Sequence, residues 1–161
     1  MRLPASARGT SDGCCMNSEQ KTPETVFRHK GRCGMEMELL LEIHVICHEA
    51  ISVKGATKEK VMIPFEGTAE GPFFTGRIIG PGVDTQTITD NGILLSARYM
   101  LEGKDAAGKD CRIFVENQGN GEKGFRPEIV TDSEALKEWE TSVLSATVEG
   151  APGGVTVRIF R

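Results

Sequence analysis

The chain has 161 residues and a formal net charge of −4, which fits one domain, or one domain plus a tail. The charge is uneven: residues 1–34 carry six Lys/Arg against three Asp/Glu, a net +3, and residues 35–161 carry thirteen against twenty, a net −7. An acidic domain repels phosphate backbones, and no apolar run approaches the length of a bilayer span, so neither nucleic acid nor membrane is an expected partner.

Residues 1–34 hold almost no aliphatic side chains and show no periodicity. Such a segment buries too little apolar surface to offset its ordering entropy. It is expected to be a disordered basic N-terminal extension, with a β-barrel domain over 35–161. A start at Met35 or Met37 would leave that domain whole. Asp12, Glu19 and Glu24 argue against a transit peptide. The five cysteines, Cys14, Cys15, Cys33, Cys47 and Cys111, are odd in number and form no CxxC pair. With no secretory signal in view, the expected compartment is a reducing cytoplasm with free thiols.

From Met37 onward the pattern has period two. Leu39, Leu41, Ile43, Val45 and Cys47 alternate with Leu40, Glu42, His44 and Ile46. Val61, Ile63 and Phe65 share one face of the next run, Leu95, Ala97, Tyr99 and Leu101 of another. Cys111, Ile113, Val115 and Asn117 follow, and Val155, Val157 and Ile159 close the series. One apolar face and one mixed face is the signature of half-buried antiparallel strands. Strands are expected at about 38–48, 60–70, 72–80, 83–90, 92–103, 109–117, 126–131, 142–149 and 154–160. Gly80-Pro81-Gly82 is read as a break between two of them, Asp90-Asn91-Gly92 as a tight hairpin, and Glu116–Gly124 as a longer polar loop. Asp132 or Ser133 would cap a two-turn helix over Glu134–Glu140. The expected fold is mostly β: a small antiparallel up-and-down β-barrel of about eight or nine strands with one short helix.

The order of several short runs resembles the domain of unknown function 3237 family, also called uncharacterised protein family 0311. The runs are Val61-Met62-Ile63-Pro64-Phe65-Glu66-Gly67, then Gly71–Gly82 leading into Val83-Asp84-Thr85-Gln86. Asp90 and Gly92, Ala97-Arg98-Tyr99 and Val115-Glu116-Asn117-Gln118-Gly119 complete the set. The resemblance spans about residues 36–160. It implies a compact antiparallel barrel and no specific activity, and its recurring polar positions fall on Asp84, Arg98, Tyr99 and Asn117.

Three features invite chemistry. His44 and His48 have i, i+4 spacing, but on a strand they stand about 13 Å apart, too far for one metal. Gly71–Gly82 is rich in glycine, yet a strand and no helix follows it, so it is not a phosphate cradle. The third is the group Asp84, Gln86, Arg98, Tyr99, Glu116 and Asn117 on three successive strands, the candidate ligand-binding residues. Tyr99 and Asn117 share their phase with apolar neighbours and should face inward. Arg98, Glu116 and Asp84 are expected as a charged ladder on the other face, unless a bulge turns Arg98 into the mouth.

No metal or other cofactor is expected. The leading functional reading is binding of a small molecule in or at the mouth of the barrel. Two alternatives stay open: an enzyme of isomerase, cyclase or lyase type, with Tyr99 as acid and Asp84 or Glu116 as base, and a structural module with a filled barrel. Assembly into a homo-oligomer is compatible with all three.

Overall fold

Alternation of side chains along the sequence becomes nine strands in the computed structural model, which describes residues 37–161. The expected extension at 1–34 lies outside the described residues. The strands are β1 (Leu39–Cys47), β2 (Ile51–Lys54), β3 (Glu59–Glu70), β4 (Phe74–Thr89), β5 (Gly92–Asp105), β6 (Asp110–Asn120), β7 (Gly124–Thr131), β8 (Ser145–Ala151) and β9 (Gly154–Phe160). All pairings are antiparallel. From β3 to β9 each strand pairs with the next, and β1 closes the ring by pairing with both β9 and β3. The result is an eight-stranded up-and-down barrel with β2 added beside the N-terminal half of β3. The seam between β7 and β8 is held by a single bridge, Phe125 with Ala146.

The inward phase follows the apolar alternation. Ile43, Phe65, Leu101, Ile113, Val115, Val157 and Ile159 are all buried, each contributing about 1.5–3 kcal/mol of hydrophobic stabilisation where burial is complete. On β1 the phase slips at its start: Leu40 is buried and Leu39 only half so, because the β1–β9 register shifts between Leu39 and Leu41. Outside, opposite charges face each other across the strands. Glu102 meets Arg112, Lys104 meets Asp110, and Glu42 meets Arg158. The first two are exposed and add little each, while the third is part-buried.

Four expectations need correction. The runs 72–80 and 83–90 are one strand, β4. Between Ile79 and Val83 its four-residue step matches the two-residue step from Met100 to Arg98 on β5, a bulge rather than a turn. Gly80 takes φ +65° there, and Gly82 lets the strand pass against the Phe65 ring, which a Cβ would meet at 2.3 Å. The supposed loop Glu116–Gly124 is mostly strand: β6 runs to Asn120, and Asn120 Oδ1 accepts the turn amides of Glu122 and Lys123. A short strand, β2, forms where none was expected. All four of its residues are exposed, and among the described residues it pairs with β3 alone. The helix shrinks to a 3₁₀ turn over Lys137–Glu140 whose N-cap, Leu136, has no side-chain cap. The would-be capping groups are engaged elsewhere: Asp132 Oδ1 accepts the Arg112 amide at 2.7 Å, and Ser133 Oγ donates to Asp105 Oδ2 at 2.9 Å.

That segment seals one end of the barrel. Leu136 and Trp139 are buried, and Trp139 packs edge-on to Phe73 with centroids 6.2 Å apart. Asp105 anchors the same end, its Oδ1 accepting the amides of Ala107 and Lys109 at 3.0 Å each. The Lys109 amide, then the Ser133 hydroxyl, with the Ala107 amide adding to them, hold its carboxyl below the usual range. A native pKa below the unfolded one means the unfolded chain binds more protons as the solution is acidified. The stabilisation is therefore complete above the ordinary Asp value of about 4 and fades as pH falls through the depressed native one. In urea melts between about pH 6 and about pH 2, the parent should lose more stability than Asp105→Asn. Parallel acid limbs would show that Asp105 contributes nothing to acid sensitivity.

Candidate functional site

At the other end the core is open. Going along β5 from Asp105, the inward side chains are Leu101, Tyr99, Ala97 and Leu95, and the last three line a cavity of about 190 Å³. Phe65, Ile63, Val45, Val155, Val157, Val148 and Phe125 supply most of its remaining wall. Exposed Cys47 and half-buried Gln86 and Leu95 stand where it meets the surface. The volume falls short of the 300 Å³ or so where pockets for drug-sized ligands begin, and exceeds the roughly 150 Å³ that admits benzene.

Register builds the polar part. Ile63, Asp84, Ala97, Asn117 and Pro127 form one row across β3 to β7. Asp84 and Asn117 thus flank Ala97, whose small side chain leaves room between them. Tyr99 lies one step deeper, its ring edge-on to Phe65 at 5.6 Å. Tyr99 and Asn117 are each only 5 % exposed. Gln86 Nε2 donates to Asp84 Oδ2 at 2.9 Å. Among the described residues, Asp84 Oδ1, Asn117 Oδ1, the Tyr99 hydroxyl and Ser96 Oγ are buried with no hydrogen-bond partner, and Asp84, Asn117 and Tyr99 line the one cavity. Burial pushes the Tyr99 phenol well above its ordinary range, so it stays protonated in neutral solution. Burial, then the charge of Asp84, raises the Cys47 thiol. Cys111 lies at the sealed end, buried, its thiol raised chiefly by desolvation.

The six candidate residues therefore divide. Asp84, Gln86, Tyr99 and Asn117 come together at the cavity. Arg98 and Glu116 pair on the outer surface, Nη2 donating to Oε1 at 2.9 Å. Hydrogen bonds from Arg98 and then Gln118 hold the Glu116 carboxyl down. The bulge in β4 ends at Val83, opposite Arg98, but it does not turn that side chain inward. Asp84 belongs inside rather than on the outer ladder, because its partner on β5 is inward-facing Ala97. Cys47 at the rim and Ala97 as the space-giving residue are not among the six candidates. A small residue between Leu95 and Tyr99 in an inward phase was the available signal. His48 is exposed beyond β1. On the outer wall Glu42, His44 and Glu70 bring ligand-type atoms within 4.8 Å of one another. All are at the surface or near it, and Glu42 is already paired with Arg158.

No curated protein matches the sequence. Solved structures do match the fold. A protein of unknown function from Clostridium acetobutylicum aligns with TM-score 0.68 at 20 % identity, over 81 % of this chain and 98 % of that one. An enzyme from Penicillium herquei aligns with TM-score 0.63 at 18 % identity, over 77 % and 91 %. A β-barrel-like protein from Acinetobacter baumannii aligns with TM-score 0.63 at 16 % identity, over 82 % and 98 %. At such identities the likeness is one of fold alone. No helix among the described residues is long and apolar enough to cross a membrane. The profile described as "Protein of unknown function (DUF3237)" matches residues 35–124, from ahead of β1 to the β6–β7 turn and so across Asp84, Tyr99 and Asn117, and the chain belongs to that family.

Proposed function

We propose that the barrel binds a small molecule in the cavity at its open end. One observation carries this reading: Asp84, Tyr99 and Asn117 line a single cavity, and each holds a buried polar atom with no hydrogen-bond partner among the described residues. Native proteins pair nearly all such groups, and each one left bare costs about 1–3 kcal/mol. Three gathered at one opening are best explained by a guest that completes them. A filled structural barrel would leave no such space.

The test blocks the cavity without touching its polar groups. Ala97→Leu pushes a branched side chain between Asp84 and Asn117. Because the cavity borders Ala97, the variant should fold, with an overpacking cost no larger than the usual range of about 1–3 kcal/mol. A panel of one-ring compounds screened by thermal shift should include some that raise the Tm of the parent and leave that of Ala97→Leu unmoved. If no compound stabilises the parent, or if both proteins respond alike, binding in this cavity is ruled out.

A second reading has its own support. A phenol held protonated and a carboxyl group on one cavity are the parts of an acid–base pair, and one of the fold's relatives is described as an enzyme. Tyr99 would then be the acid and Asp84 the base. Glu116, tied to Arg98 outside, has no part in it. A Tyr99→Phe variant that still bound a turned-over compound but no longer converted it would favour catalysis over binding alone.

A further inference from the structure

Resting on the binding reading above, the inference concerns the charge and shape of the guest. Among the described residues, Asp84 is the only acidic side chain lining the cavity, and no Lys, Arg or His lines it. Gln86 Nε2 donates to Asp84 Oδ2, which leaves Oδ1 bare, and the Asn117 amide group brings a second NH2 to the lining. The other unmet oxygens, Tyr99 OH and Asn117 Oδ1, are also able to accept. Three residues that line the cavity therefore carry an unmet acceptor oxygen, and a primary ammonium group has three N–H donors. Around them the wall is apolar, with the rings of Phe65, Tyr99 and Phe125, whose faces attract a cation.

We infer that the cavity takes a small primary amine, its ammonium group against Asp84 and its apolar body in the barrel, and that it refuses organic anions. The field of Asp84 reaches the rim, where it contributes to raising the Cys47 thiol. The net −7 of residues 35–161 draws cations towards the domain as a whole and repels carboxylates.

The experiment is isothermal titration of the full chain with benzylamine, benzyl alcohol and benzoate, which share a ring and differ in the polar group. Benzylamine should bind about tenfold or more tighter than benzoate, with the alcohol between them, since opposite charges attract strongly where water is excluded. Asp84→Asn keeps the shape and removes the charge. In it the amine and the alcohol should bind within about threefold of each other. Benzoate binding as tightly as benzylamine to the parent would overturn the inference and leave the cavity reading standing. So would an amine preference that survives in Asp84→Asn. If none of the three binds and the thermal-shift panel is also silent, the cavity reading falls and this inference with it.

Discussion

Phe65→Ala is expected to lower folding stability by about 3–5 kcal/mol, as truncations of buried aromatic rings do. The ring is 3 % exposed and touches both halves of the molecule's design. It packs on the backbone at Gly82, closer than any Cβ would permit, and makes a T-shaped contact with Tyr99. Removing it frees Gly82 from its constraint and joins the lost volume to the existing cavity. Because one side of the ring already borders that cavity, the cost should fall towards the lower end of the range. Urea melts measure it. A loss under about 1 kcal/mol would place Phe65 outside the core and invert the assigned phase of β3. The enlarged cavity should also admit two-ring compounds that the parent excludes.

Trp139→Ala should cost a similar amount, about 3–5 kcal/mol, for a different reason. The segment it sits in has no strand partner and no capped helix to hold it. Its attachment is the burial of Leu136 and Trp139, together with the Ser133–Asp105 bond and the hydrogen bond that Glu140 Oε1 accepts from the Thr131 amide. Without the indole the closing segment loses its largest anchor, and limited proteolysis should cut within 132–144 first. Trp139 is the only tryptophan of the chain, so fluorescence of the parent during unfolding reports on this end alone. Trp139→Phe should recover part of the loss. An alanine variant as stable and as resistant as the parent would mean that the barrel closes without its plug.

What the sequence discloses of this molecule is decided by whether a strand has one apolar face. β5 and β6 do, so the inward placing of Tyr99 and Asn117 is legible from Leu95, Leu101, Ile113 and Val115 alone. The second half of β4 does not. Val83, Thr85 and Thr87 against Asp84, Gln86 and Ile88 give no apolar stripe, and Asp84 is assigned to the wrong face without its partner Ala97. The bulge at Gly80-Pro81-Gly82 is equally opaque, since glycine and proline mark turns and bulges with the same letters. Asp132 and Ser133 fit a helix cap by local rules. Their true partners, the Arg112 amide and Asp105, are 20 and 28 residues away, and no local pattern carries such a bond. The site has the same character. Its members are single residues from β4, β5 and β6 that become one row only when register is fixed.

The single bridge between β7 and β8 gives the ring one joint far softer than the rest. Parting any other seam breaks a long ladder, whereas parting this one breaks Phe125 with Ala146 and leaves a continuous, fully laddered sheet behind. Local opening of a protein concentrates where its least costly interface lies. Phe125 on β7 and Val148 on β8 stand on either side of that joint, and both belong to the cavity wall. The compliance of the barrel is thus expected to be directed: a molecule somewhat larger than the 190 Å³ cavity would strain the wall at this joint before the wall bearing Asp84, Tyr99 and Asn117.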